Sequence, residues 1–298
     1  MAWHEPSLQQ LPVPGGELTV ARWGQGPHTV LCSHGITANH RSFGQLAWAL
    51  REQRDDVTLY AVDHRGRGGA AAHPGPYGLT AHADDLARVL EHLGADDAVL
   101  VGHSMGAFVA VNAAERHPDR VRGLVLVDGA LPIGAPVPQG TDIESAVRAV
   151  IGPALERLDT TYPSPEAYLE VWRAHPAFRE AFNDVVEAHY RYDLVPVGDG
   201  WRSPVSKEAV LEDGKGPLQD EAARTALSRV EVAATLLWAP RGLLDQEPGL
   251  YPPETVAEVT SGLPHVEAAR VDDVNHYTVL FSEAGARRVA DVVSAHLG

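Results

Sequence analysis

The segment Gly102-His103-Ser104-Met105-Gly106 follows the apolar run Ala98-Val99-Leu100-Val101 and leads into an Ala- and Val-rich stretch over residues 107–117. A strand that reverses into a helix across G-x-S-x-G holds its serine in a tight, strained turn above a sheet. Glycine is needed on both sides, because a Cβ there would strike the neighbouring strand or helix. The turn also leaves the Met105 amide at a helix N-terminus, where negative charge is stabilised. A serine presented this way belongs on the carboxyl edge of a parallel sheet, and the other elements must be compatible with one.

They are. Short apolar runs at residues 18–23, 28–33, 58–62, 98–102, 124–127, 235–239 and 268–271 read as strands. Residues 80–93, 107–117 and 283–297 have helical periodicity. Strands separated by helices predict an α/β fold with a mostly parallel sheet and helices on both faces. Thr80 is the expected N-cap of its helix, with acidic residues helping in the first turn. Pro118 is the expected stop of the helix that starts after Ser104, since proline cannot continue the hydrogen-bond ladder. From about residue 131 to 230 the alternation lapses into helices and loops without clear strands. Residues 1–130 and 231–298 are therefore expected to form the core domain, and 131–230 a helical cap subdomain rich in aromatic residues.

A serine hydroxyl needs a base at neutral pH. Of the 15 histidines, His276 alone lies between the last expected strand and the last helix. His296, inside that helix, reads as a solvated surface residue. The base needs an acid, and two carboxylates qualify. Asp128 directly follows the strand at 124–127. Asp245 ends Pro240-Arg241-Gly242-Leu243-Leu244-Asp245, where the Gly-x-x-Asp spacing favours it but Pro240 and Arg241 carry it away from its strand. Both stay open. The negative charge of an acyl-transfer intermediate needs two N–H donors. Met105 supplies one, and Ile36, in the loop His34-Gly35-Ile36 after the strand at 28–33, the other. His34 itself is expected to order that loop.

Composition bounds the partners. The net charge of −16 argues against nucleic acid or an anionic membrane surface, which call for clustered Lys and Arg. The single cysteine, Cys32, rules out an intrachain disulfide and reads as a buried strand residue. The first 13 residues lack the basic start, apolar run and cleavage site of a signal peptide, and no apolar stretch reaches membrane-spanning length; a cytoplasmic protein is the expectation. No metal-binding spacing such as H-E-x-x-H is present, and no cofactor is expected.

His34-Gly35-Ile36, Asp63-His64-Arg65-Gly66-Arg67-Gly68, the elbow, Gly242-Leu243-Leu244-Asp245 and Asn275-His276 resemble, in the right order, the successive signatures of the α/β-hydrolase superfamily. The resemblance implies an eight-stranded sheet with a helical cap after the sixth strand. It also implies an ester or lactone hydrolase acting through an acyl-enzyme on Ser104, without cofactor or metal. In that family the segment 63–68 is a structural turn, and its two arginines are not anion ligands. A serine at the elbow argues against haloalkane dehalogenases and epoxide hydrolases, which place aspartate there. A carbon–carbon bond hydrolase, a cofactor-free perhydrolase and a non-catalytic ligand-binding protein on the same fold remain as alternatives. More narrowly, the step from Ser104 to Asp128, the cap and Asn275-His276-Tyr277 resemble bacterial zearalenone lactonases. A small apolar ester or lactone is the partner so implied. Gly35, Trp172, Tyr190 and Trp201 are candidate substrate contacts, with core packing the alternative for the aromatics. A homodimer is an assembly the sequence leaves open.

Overall fold

The computed structural model describes residues 5–298. Ten strands form two sheets. They are β1 (Ser7–Val13), β2 (Gly16–Gly24), β3 (His28–Ser33), β4 (Val57–Val62), β5 (Ala98–His103), β6 (Val121–Val127), β7 (Val195–Val197), β8 (Gly200–Arg202), β9 (Ala234–Trp238) and β10 (Val266–Arg270). The large sheet has eight strands in the order β1-β2-β4-β3-β5-β6-β9-β10. From β4 to β10 every pairing is parallel; only β1–β2 and β2–β4 are antiparallel. This is the mostly parallel eight-stranded sheet that the sequence predicts.

Helices α1 (Gly44–Gln53), α2 (Leu79–Leu93) and α3 (Met105–Arg116) connect the first strands. Between β6 and β9 lie α4 (Ile143–Glu156), α5 (Pro165–Ala174), α6 (Asp184–Tyr192), α7 (Lys207–Gln219) and the single turn α8 (Glu221–Arg224). After β9 come α9 (Pro253–Ser261), the turn α10 (Thr278–Phe281) and α11 (Glu283–Leu297). The side-chain period of two divides the sheet's strands between two cores. Val30, Cys32, Val99, Val101, Val125 and Val127 pack with α1 and α11. Leu31, Leu100, Leu124 and Leu126 pack with α2 and α3 on the opposite face. With both faces covered, the central strands read as continuous apolar runs, which is why they were legible.

Three expectations need correction. Thr80 does not cap α2. The N-cap is Gly78, at φ 106°, without a side-chain bond, and no acidic residue occupies the first turn. The Asp213 carboxylate, from α7, accepts the Gly78 amide instead (2.5 Å), so a tertiary contact replaces the local cap. The stretch 131–230 is not free of strands: β7 and β8 form a hairpin around Gly198-Asp199, each too short to show a period. His296 is half-buried, 3.0 Å from the Thr235 hydroxyl, and burial lowers its pKa. β1, an exposed edge strand containing Pro12, had no apolar alternation to announce it. Elsewhere Cys32 is buried in β3 as expected. Among the described residues, no helix is long and apolar enough to cross a membrane.

Candidate active site

Ser104 sits between β5 and α3 with φ 54° and ψ −120°, a conformation that L-residues rarely adopt. The crowding is real. A Cβ on Gly102 would meet the backbone of Gly106 and Ala107, and one on Gly106 the Ser33 carbonyl. The turn is secured by the Ser104 amide, which donates to the Val127 carbonyl at 3.0 Å.

Val127 is the last residue of β6, and Asp128 follows it at φ 45°. The Asp128 amide donates to Leu237 O (2.7 Å), and its Oδ1 accepts the Ala239 amide (3.0 Å). The other oxygen, Oδ2, lies 2.7 Å from His276 Nδ1. That contact places the proton on Nδ1 and leaves the Nε2 lone pair free. Both side chains are almost fully buried. The backbone of His276 is fixed at both ends: its amide donates to Arg241 O (3.0 Å), and its carbonyl accepts from His103 Nε2 (2.8 Å). Ser104 and His276 border one cavity.

Asp245 does not reach His276. It pairs with Arg241 at 2.8 Å and accepts from Asn275 Nδ2 at 2.9 Å. Asn275 Oδ1 in turn accepts the Tyr277 and Thr278 amides, so Asp245 organises the loop that carries His276.

Neither the Ile36 nor the Met105 amide has a hydrogen-bond partner among the described residues. Met105 is the first residue of α3, where the N–H has no intrahelical acceptor. The Gly35 carbonyl accepts from His34 Nδ1 (2.7 Å) and the Ala38 amide (3.0 Å). Because a trans peptide points its N–H away from its C=O, this pins the direction of the Ile36 N–H. A Cβ at Gly35 would lie 3.4 Å from Ser104 Cβ and 3.8 Å from Ser104 Oγ, in van der Waals contact with the nucleophile. His34 Nε2 accepts the His64 amide (3.1 Å), so the ring uses both nitrogens in its neutral form and orders the loop as expected.

Burial lowers the pKa of His34 to about 4 and that of His103 to about 3. In the unfolded chain both titrate near 6.5. Between pH 6.5 and 4 the unfolded state therefore binds more protons, and the native state loses stability as pH falls. Thermal melts should show Tm dropping steadily from pH 7 to pH 4; a flat profile would contradict the neutral assignment.

Free space borders Ser104 in two arms. One, about 40 Å³, is lined by Gly35, Arg157, Trp172, Tyr190, His276 and Tyr277 among others. The other, about 50 Å³, is lined by Ile36, Met105, Phe108, Val147, Val150 and Leu218 among others. Gly35, Trp172 and Tyr190 are thus brought to the site. Trp172 stacks on Tyr190 with centroids 3.8 Å apart. Trp201 lies elsewhere: it exchanges both backbone hydrogen bonds with Tyr162 and packs against the core. Sequence reasoning missed His103, whose role comes from a contact to a distant loop, and Arg157, which no motif marks. Among the described residues, no three His, Cys, Asp or Glu side chains are grouped to hold a metal ion.

Comparison with known proteins agrees with this geometry. Residues 28–281, most of the chain, match the model of the alpha/beta hydrolase fold family. The chain belongs to that family, and is a hydrolase. It is 40% identical over 203 residues to 2-(acetamidomethylene)succinate hydrolase of Mesorhizobium japonicum, covering 68% of this chain and 67% of that protein. It is 33% identical over 190 residues to the lipase LipV of Mycobacterium tuberculosis, covering 62% and 66%. A crystal structure of E-2-(acetamidomethylene)succinate hydrolase superposes with a TM-score of 0.78 at 22% identity, covering 98% of this chain and 99% of that one; at that identity the likeness concerns the fold.

Proposed function

We propose that this hydrolase cleaves carboxylic esters, lactones included, through an acyl-enzyme on Ser104. The observation that carries the reading is that Ser104 borders one cavity with His276, itself bonded to Asp128, and another with Ile36 and Met105, whose amides have no partner among the described residues. His276 Nε2 takes the proton as Ser104 Oγ attacks the carbonyl carbon. The oxyanion is held by the Ile36 and Met105 amides. The imidazolium, steadied by Asp128, then protonates the leaving alkoxide. Water, deprotonated by the same imidazole, attacks the acyl-enzyme and releases the acid and Ser104. Each step needs only groups of this chain. The helices between β6 and β9 would act as a cap over the site.

The two arms favour a substrate shape. His276 borders only the arm with Arg157 and Tyr277, so the group it protonates leaves on that side. The acyl group then faces the other arm, whose lining has no ionisable side chain. A short apolar acyl group fits. A resorcylic macrolactone such as zearalenone would require the helices to move apart, because sites for drug-sized ligands typically span roughly 300–1,000 Å³. A second reading, hydrolysis of an amide whose amine portion carries carboxylates, is favoured by the 40% identity to the acetamido-succinate hydrolase.

The test is a series of activated aryl esters, from acetate to octanoate, alongside N-acetyl enamides of dicarboxylic acids. An initial burst of phenol, equal to the enzyme concentration, is expected. Val150→Trp, which narrows the apolar arm, should lower the butanoate-to-acetate ratio of kcat/KM about 10-fold, the scale of a methylene lost from a pocket. An unchanged ratio would place the acyl group elsewhere.

A further inference from the structure

Three consecutive carbonyls of the loop that carries the Ile36 amide are held, and by different parts of the molecule. The His34 ring and the Ala38 amide hold Gly35 O. Arg67 Nε donates to Ile36 O at 3.0 Å. Arg157 donates through one terminal nitrogen to Thr37 O at 2.6 Å. Both arginines are almost completely buried. Each is matched by a buried carboxylate from the helices between β6 and β9. Arg67 pairs with Asp213 of α7 at 2.5 Å, both side chains fully buried. Arg157 pairs with Asp193, directly after α6, at 2.6 Å.

These carboxylates are themselves fixed. Asp213 also takes the Gly78 amide and His82 Nε2 (2.9 Å). Asp193 accepts from the Tyr168 hydroxyl (2.7 Å) and from Ser203 Oγ (3.0 Å), and Arg157 also donates to Ser203 Oγ (2.9 Å). The Gly35 carbonyl is held within the core by His34 and the Ala38 amide, whereas the next two carbonyls are reached by arginines paired with Asp213 and Asp193. Of the two arginines in segment 63–68, Arg65 is matched by Asp85 at 2.5 Å and Arg67 serves the loop.

We propose that the helical segment between β6 and β9 preforms the oxyanion-binding loop through two buried ion pairs, Asp213–Arg67 and Asp193–Arg157. Asp213 and Asp193 are then positioning residues. A guanidinium whose carboxylate is in place presents its remaining N–H groups in one fixed direction. That direction fixes the peptides on either side of Thr37 and so, together with the hold on Gly35 O, the backbone on both sides of the Ile36 N–H. Seating of the segment and assembly of the oxyanion site are one event. The segment therefore does more than cover the substrate.

This inference rests on the acyl-enzyme reading, and the experiment separates the two. The burst of the wild-type protein tests that reading; the variants are then compared per reactive site, counted by fluorophosphonate titration. Asp213→Asn keeps the shape and removes the charge. It should lower kcat by about 10–100-fold with KM little changed, since a misaimed donor loses part of the roughly 10²–10³ that one donor contributes. Affinity for a boronic acid transition-state analogue should fall in parallel. Arg67→Lys, which keeps the charge without the fork, should behave likewise. Ser203→Ala, a milder change beside the second pair, should give a smaller loss of the same kind and serves if Asp213→Asn does not fold. A loss confined to the number of reactive sites, with kcat per site and inhibitor affinity unchanged, would mean that the pairs only stabilise the fold and would overturn the proposal.

Discussion

Ser104→Ala should reduce turnover of an activated aryl ester by about 10⁴–10⁶-fold, the scale of losing a triad nucleophile, while the protein remains folded. The hydroxyl makes no capping hydrogen bond to α3. The strain at φ 54° is sustained by the Ser104 amide and by the crowding around Gly102 and Gly106, all of which alanine keeps. KM should change far less than kcat, because the attacking atom is lost and the two arms are not. Steady-state kinetics with the burst amplitude as an internal count would check this. A variant that retained a tenth of wild-type turnover would show that another group attacks the carbonyl.

Asp128→Asn and Asp245→Asn should differ by about three orders of magnitude. An amide at 128 offers an N–H where the imidazole N–H now donates, which turns the base into the wrong tautomer and costs about 10⁴ in kcat. In the native protein Asp128 Oδ1 accepts the Ala239 amide, so the orientation of the carboxylate is built into the sheet. Asp245→Asn removes a partly exposed pair with Arg241. Such pairs contribute about 0–1 kcal/mol, and Asn can still accept from Asn275. A loss below about tenfold is expected. Equal losses in both variants would mean that neither carboxylate has the role given to it.

These two carboxylates show where sequence reading stops. Both follow strands that were visible as apolar runs, and both precede His276 in the chain. What separates them is register. Asp128 is bonded to Leu237 at the very edge of the sheet, whereas Asp245 stands beyond Pro240 and is captured by Arg241 and Asn275. Spacing along the chain does not reveal which carboxylate faces the imidazole. Trp201 failed for a related reason: in a three-residue strand its place depends on Tyr162, far away in sequence. Thr80 was a sound local cap, displaced by a carboxylate from α7. The elbow, the Ile36 loop and the His276 loop were legible because each is local, a strand end followed by residues whose sizes and amides the turn demands. Asp193 and Asp213 were not, since an acidic residue on a helix looks the same whether it meets water or a buried guanidinium.

The central claim is that Ser104 carries the acyl group. Rapid quenching during turnover of a slow ester, followed by peptide mass spectrometry, tests it most directly. The account predicts an adduct of the acyl mass on the peptide containing Ser104, absent in Ser104→Ala and decaying at the rate of turnover. An adduct on any other residue, or steady hydrolysis with no adduct at all, would contradict it.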